Sequence, residues 1–181
     1  MEKLPLLETQ NLILSKVGTE DIPTIVELME EKAISDNTCH IPYPYSEKDA
    51  AFWLGLIKEG LEKNNGFSFA IRSKDKKFLG AIGLHDRGSK TAEIGYWLGK
   101  PYWNKGFASE AAQEIIKFGF ENLDFDKIIG IIFPFNPASG KVLEKVGMQQ
   151  EKILENQTEK NGVKFHNIQY SITKDAFNAS L

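Results

Sequence analysis

Tyr102-Trp103-Asn104-Lys105-Gly106-Phe107-Ala108-Ser109-Glu110-Ala111 is the stretch on which the reading of this chain turns. Ahead of it, residues 92–98 predict a strand. Behind it, Ala108, Ala111, Ala112, Ile115, Ile116 and Gly119 recur at helical spacing, with Glu110, Gln113, Glu114 and Lys117 opposite. A strand, a glycine loop and a helix in that order make a place for an anion. The first-turn N–H groups of a helix have no intrahelical partner, and the helix dipole is positive at that end. Gly106 lets the backbone approach a ligand with no Cβ in the way, and Lys105 adds a mobile cation. A phosphate or pyrophosphate fits such a loop; a glycine that only eases a tight turn is the alternative. The loop is not of the Walker type, because no Gly-Lys-Ser/Thr follows four spacer residues, and it is not a G-x-G-x-x-G fingerprint.

Working outward, Ile128-Ile129-Gly130-Ile131-Ile132-Phe133 is a continuous apolar run of the kind that forms a buried strand. Pro134-Phe135-Asn136-Pro137-Ala138-Ser139 follows. A short helix is then expected from about Pro137 to Val146, closed by Gly147. Upstream, residues 11–17 predict a first strand, and Thr19 is expected to cap a helix reaching about Lys32, with Ile22, Ile25, Val26 and Met29 on its apolar face. Residues 33–45 read as irregular. Ser46-Glu47-Lys48-Asp49 opens another helix as a capping box, with Phe52, Trp53, Leu56, Ile57 and Leu61 expected on its buried face. Tyr43 and Tyr45, with Phe52 and Trp53, form either an aromatic wall or core. Residues 67–72, 77–84 and 91–98 read as an antiparallel meander. Late strands at about 148–155 and 163–173 flank an Asn161-Gly162 turn. The simplest architecture is an α/β sheet with helices on both faces.

Composition narrows the function. The chain has 181 residues, enough for one domain with a substantial core. Hydrophobic residues make up 41% and charged residues 26%, as in ordinary globular proteins. The net charge of −3 argues against general nucleic-acid binding. No apolar run reaches 18 residues, so no membrane partner is expected. The start Met1-Glu2-Lys3-Leu4-Pro5 lacks a signal peptide's apolar core. The single cysteine, Cys39, excludes an intrachain disulfide, reads as a small buried apolar residue and fits a cytoplasmic location. The three histidines are scattered, and no metal-ligand spacing occurs.

Taken together, the segments resemble the GNAT acetyltransferases (Gcn5-related N-acetyltransferases), and within them the branch of the RimJ and RimL ribosomal-protein N-terminal acetyltransferases. The matching pieces are Leu7-Glu8-Thr9, Leu12-Ile13-Leu14, Ile41-Pro42-Tyr43-Pro44-Tyr45-Ser46, Glu93-Ile94-Gly95-Tyr96-Trp97-Leu98, the loop at 103–111, Asn136-Pro137-Ala138-Ser139 and Leu143-Glu144-Lys145-Val146-Gly147-Met148. They stand in the family's order and cover residues 7–173. The resemblance implies a single acetyltransferase domain over residues 1–181. Its fold class is α/β (α+β), with a mixed, mostly antiparallel sheet of about seven strands flanked by helices. Strands four and five splay apart to make a cleft for the pantetheine arm. It implies acetyl-CoA as cosubstrate, no metal, and a primary amine as acceptor, first of all a protein N-terminal α-amine. A polyamine, amino sugar or antibiotic amine is the alternative, and a CoA-binding protein without turnover is a reading from another class. A homodimer is left open.

Acetyl transfer from a thioester to an amine needs a held donor, a deprotonated amine, a donor for the oxyanion and a proton for the departing thiolate. By resemblance, the donor site comprises Tyr96, Trp97 and Leu98, then Trp103, Asn104, Lys105, Gly106, Phe107, Ala108 and Ser109, and finally Asn136, Ser139 and Lys141. Trp103 stands where the family pattern has Gln or Arg, which removes one expected cationic contact. Asn136 matches the asparagine that hydrogen-bonds the pantetheine arm; a turn residue before Pro137 is the alternative. Ser139 is the candidate general acid, or a first-turn capping residue. Glu93 is the candidate general base acting through water, or a partner in a surface ion pair. His166 is the second candidate base, since its ordinary pKa suits proton transfer near neutrality. The branch often has Asp where Asn167 stands.

Overall fold

Short apolar runs separated by polar turns build the sheet. The computed structural model describes residues 4–38, 40–160 and 162–179; Cys39 and Asn161 lie outside the described residues. Strands β2 (Leu12–Lys16), β3 (Gly66–Ser73), β4 (Phe78–Asp86) and β5 (Thr91–Leu98) pair antiparallel in chain order. A crossover through helix α4 (Phe107–Asn122) lays β6 (Lys127–Ile132) parallel to β5. The hairpin of β7 (Gln149–Lys160) and β8 (Val163–Thr173) completes the sheet, with β8 against β6 and β7 at the edge. Its order is β1-β2-β3-β4-β5-β6-β8-β7. The eighth strand beyond the expected seven is β1 (Leu7–Glu8), a two-residue bridge to β2 that is too short to show a period of two. This shifts the numbering, so the expected splay falls between β5 and β6. Their pairing runs from Thr91↔Lys127 to Ile94↔Gly130 and stops, although β5 continues to Leu98 and β6 to Ile132.

Alternation along β3 shows that both sheet faces are covered. Phe69 and Ile71 belong to one buried cluster and Ala70, between them, to the other. The first cluster includes Ala111, Ala112, Ile115 and Ile116 of α4. Gly119 permits that helix to lie close, since a Cβ there would come within 2.6 Å of Leu84 and 3.0 Å of Ile128. The second cluster joins α1 (Ile22–Met29) to α3 (Glu47–Glu62) through Ile25, Met29 and Ala50.

Three local expectations are corrected. The first predicted helix is broken into a tight 3₁₀ turn at Thr19–Asp21, α1, and a separate α2 (Lys32–Asp36) inside the stretch read as irregular. Its start is held by Asp21, whose carboxylate accepts from the Gly18 N–H at 2.9 Å, and not by the Thr19 side chain. Asp21 is fixed there by Arg72, at 2.8 and 2.9 Å, as a buried ion pair. Helix α3 is capped by Ser46 and Asp49 as expected, but it docks through Ala50, Trp53, Leu54 and Ile57. That choice turns Phe52 and Leu56 outward, 68% and 49% exposed. Finally, β7 runs to Lys160, five residues past its expected end.

Candidate active site

The loop leaving β5 is built to expose backbone donors. Trp103 Nε1 donates to the Leu98 carbonyl at 2.7 Å, which pins the loop against the strand end. Asn104 and Gly106 both adopt left-handed backbone, with φ of 59° and 83°. Gly106 is the N-cap of α4 and has no side chain to occupy the first-turn N–H groups. Glu110 would set a negative charge in that turn. Its carboxylate instead turns to the β1–β2 junction, accepting from Thr9 Oγ1 at 2.6 Å and from Asn11 N and Nδ2 at 2.7 and 3.0 Å. Burial pushes its pKa up, but the hydrogen bonds from Thr9 and Asn11 outweigh that and leave it below the usual carboxylate range.

The facing wall is α5 (Pro137–Lys145). Asn136 is its N-cap: Oδ1 accepts from the Ser139 N–H at 3.2 Å, and Nδ2 donates to the Asn37 carbonyl at 3.1 Å. Asn136 thus caps α5 and also lines the cleft. Ser139 Oγ lies 2.7 Å from Tyr96 Oη, which also donates to the Ser139 carbonyl at 3.0 Å. Burial pushes the Tyr96 phenol up to about 12, against the opposing pull of the Ser139 hydrogen bond.

Between these walls is a cleft of about 470 Å³, a size typical of small-molecule and cofactor sites. Of the expected donor residues, Tyr96, Trp97, Leu98, Trp103, Asn104, Gly106, Phe107, Ala108, Ser109, Asn136, Ser139 and Lys141 line it. Lys105 does not; its ammonium sits 6.0 Å over the Tyr102 ring. The two candidate bases are also elsewhere. Glu93 lies across the β4–β5 ladder from His85, and the Arg87 guanidinium closes on its Oε2 at 2.8 and 2.9 Å. His166 is exposed on β8. Asn167 is buried and donates from Nδ2 to Thr158 Oγ1 at 2.6 Å, while its Oδ1 has no hydrogen-bond partner among the described residues.

Several lining residues were missed by the sequence reading: Ile34, Asn37 and Thr38 from α2 and the segment after it, Tyr102 before the loop, and Val142 and Lys145 on α5. Lys145 was legible, because it falls one helical turn after Lys141 on the same face. Asn37 and Thr38 were not. They reach the cleft because Lys160, at the end of β7, donates to the carbonyls of Ser35, Asp36 and Thr38 at 2.6 to 2.8 Å. Among the described residues, no three His, Cys, Asp or Glu side chains are grouped to hold a metal ion, and no helix is long and apolar enough to cross a membrane.

Comparison with known proteins identifies the family and the fold. The family model of the acetyltransferase (GNAT) domain matches residues 11–149. The uncharacterized N-acetyltransferase YoaA of Bacillus subtilis (strain 168) is 30% identical over 173 residues, which cover 94% of this chain and 97% of YoaA. Among solved structures, the ribosomal L7/L12 alpha-N-protein acetyltransferase RimL in complex with coenzyme A aligns with a TM-score of 0.86 at 18% identity, covering 95% of this chain and 99% of that one. The spermidine N-acetyltransferase of Vibrio cholerae, in complex with CoA and spermine, aligns with a TM-score of 0.79 at 20% identity, covering 94% and 99%. At these identities the two structures establish the shared fold.

Proposed function

The chain belongs to the GNAT acetyltransferases and is an acetyl-CoA-dependent N-acetyltransferase, and from that premise we propose that its acceptor is a protein N-terminal α-amine, acetylated by direct attack in a ternary complex. The charge of the cleft wall carries this choice of acceptor. Among the described lining residues, the charged side chains are Lys141 and Lys145. A polyamine brings several positive charges and would find no carboxylate among the described lining residues. An α-amine brings one charge with a neutral chain behind it, and Ile34, Asn37, Thr38 and Trp97 offer that chain neutral surface. With a free pKa of about 8 the α-amine is also partly neutral near pH 7, whereas a lysine amine at about 10.4 is almost wholly charged.

For the donor, the first-turn N–H groups after Gly106 suit the pyrophosphate, and Lys141 and Lys145 supply the positive charge that Trp103 does not. The amine nitrogen attacks the thioester carbon, the C–S bond breaks, and the proton lost by nitrogen ends on sulfur. Ser139, on the cleft wall and held in place by the Asn136 cap, is assigned to the departing sulfur.

Thiol release from acetyl-CoA, measured with a panel of amines, tests the acceptor. The panel holds a peptide with a free N-terminus, the same peptide blocked at its N-terminus but carrying a lysine, spermidine and an amino sugar. The expected result is a kcat/KM for the free-terminus peptide at least tenfold above every other member. A higher value with spermidine or the amino sugar would overturn the peptide reading and move the acceptor to the small-molecule class.

A further inference from the structure

Tyr96 sits two residues beyond Ile94, where the β5–β6 ladder stops, and so at the mouth of the splay. Its side chain reaches α5. The phenol oxygen is 2.7 Å from Ser139 Oγ and 3.0 Å from the Ser139 carbonyl oxygen, both on α5. Both residues line the cleft. No other hydrogen bond is shown for the Ser139 hydroxyl among the described residues.

A phenol has one proton and here two acceptors. When it donates to the Ser139 carbonyl, the serine hydroxyl must donate back to the phenol oxygen, and the serine turns only lone pairs to the cleft. When the phenol proton swings to Ser139 Oγ, the serine proton is released and can point to whatever occupies the cleft. Ser139 by itself would have no such preference.

We propose that Tyr96 is a positioning residue for thiolate departure: by turning its single proton from the Ser139 carbonyl to Ser139 Oγ, it frees the serine proton to hydrogen-bond the sulfur as the C–S bond breaks. This rests on the assignment of Ser139 given above. The atoms balance without a net change at either residue. The C–N bond forms, the C–S bond breaks with its electron pair on sulfur, and the proton that sulfur finally takes is the one the attacking nitrogen loses. Outright proton donation by the pair is disfavoured. The phenol stands at about 12, against about 8.5 for an alkyl thiol such as cysteine, so full transfer runs uphill by roughly three to four decades. The pair works as a preorganised hydrogen-bond donor to developing charge.

The test is a double-mutant cycle with Tyr96→Phe and Ser139→Ala. It is read as single-turnover acetyl transfer by rapid quench, with acetyl-CoA and the fastest amine of the panel above, so that product release does not mask chemistry. Tyr96→Phe removes one oxygen and keeps the ring, and its fold is checked by thermal melting. The expected result is a five- to thirtyfold loss for Tyr96→Phe with the KM for acetyl-CoA within about twofold of wild type. The double variant should be no slower than Ser139→Ala, because Tyr96 acts only through the serine. A packing role would give additive losses instead, and additivity overturns the proposal. If Ser139→Ala is slow and Tyr96→Phe is not, Tyr96 is excluded and the serine assignment stands. If Ser139→Ala keeps the wild-type rate, the serine assignment falls and the Tyr96 proposal with it.

Discussion

The Arg87 guanidinium holds Glu93 at one carboxylate oxygen, and that single contact changes what Glu93 can do. From sequence, a carboxylate beside Ile94-Gly95-Tyr96 is a reasonable base. In the fold it lies on the opposite sheet face from Ile94 and Tyr96, by the alternation of a strand, and outside the cleft lining. A carboxylate with a free pKa of about 4.3 is in any case a weak base towards an amine near 8. We therefore expect the rise of kcat/KM with pH to be the amine's own titration. Glu93→Gln and His166→Ala should each leave its midpoint in place, and a change of acceptor from an α-amine to a lysine-type amine should carry the midpoint upward. A limb flattened by Glu93→Gln would restore Glu93 as the base. Asn136 teaches the reverse lesson at the same scale. Its place before Pro137 reads from sequence as a turn residue, and the fold makes it the N-cap of α5; the local pattern also left out its second hydrogen bond, to Asn37.

Among the elements, α4 was the most legible, because Glu110, Gln113, Glu114 and Lys117 gather its polar side into one strip and its start is marked by Gly106. The glycine has two separable roles. At φ of 83° any Cβ is strained, at a cost of roughly 1–2 kcal/mol, while no atom lies within 4 Å of where that Cβ would be. Gly106→Ala therefore isolates strain, and Gly106→Asp adds a negative charge at the anion site. Calorimetry should show CoA binding at least tenfold weaker for Gly106→Asp and within about threefold of wild type for Gly106→Ala, with both variants folded. Equal affinities for Gly106→Asp and wild type would remove this loop from the donor site. Helix α3 was less legible for the opposite reason. Phe52, Trp53, Leu54, Leu56, Ile57 and Leu61 wrap so much of its circumference that periodicity finds an apolar helix without saying which side docks. Packing against α1 and the sheet chose the Ala50–Trp53–Leu54–Ile57 side.

On the scale of the whole molecule, the three strands at the β7 edge are tied across their polar face by Glu151, which accepts from Lys127 of β6 at 2.5 Å and from Gln169 of β8 at 2.9 Å. The Lys127 and then the Gln169 hydrogen bonds hold its pKa down, at about 2. A carboxyl whose folded pKa is depressed stabilises the fold fully above its unfolded value, about 4.3, and loses that contribution as pH falls through the window down to about 2. Urea unfolding should therefore show wild type more stable than Glu151→Gln at pH 6, with the gap closing as pH falls from 5 to 2.5; a gap independent of pH would show that Glu151 acts by packing alone. Such ties mark the boundary between what could be read and what could not. The strand, glycine loop and helix at 92–119, the buried strand at 128–133 and the short helix after it were legible in the sequence by itself, because periodicity and helix-end residues are written in neighbouring positions, and the family was legible in the order of its motifs. Only the tertiary structure decided that Tyr96 meets Ser139 across 43 positions, that Asn136 meets Asn37 across 99, and that Lys160 draws the end of α2 to the cleft across as many as 125. A local pattern specifies which face of an element is apolar or capped. Which distant polar group comes to lie opposite it is settled by the register of the sheet and by where β5 and β6 part.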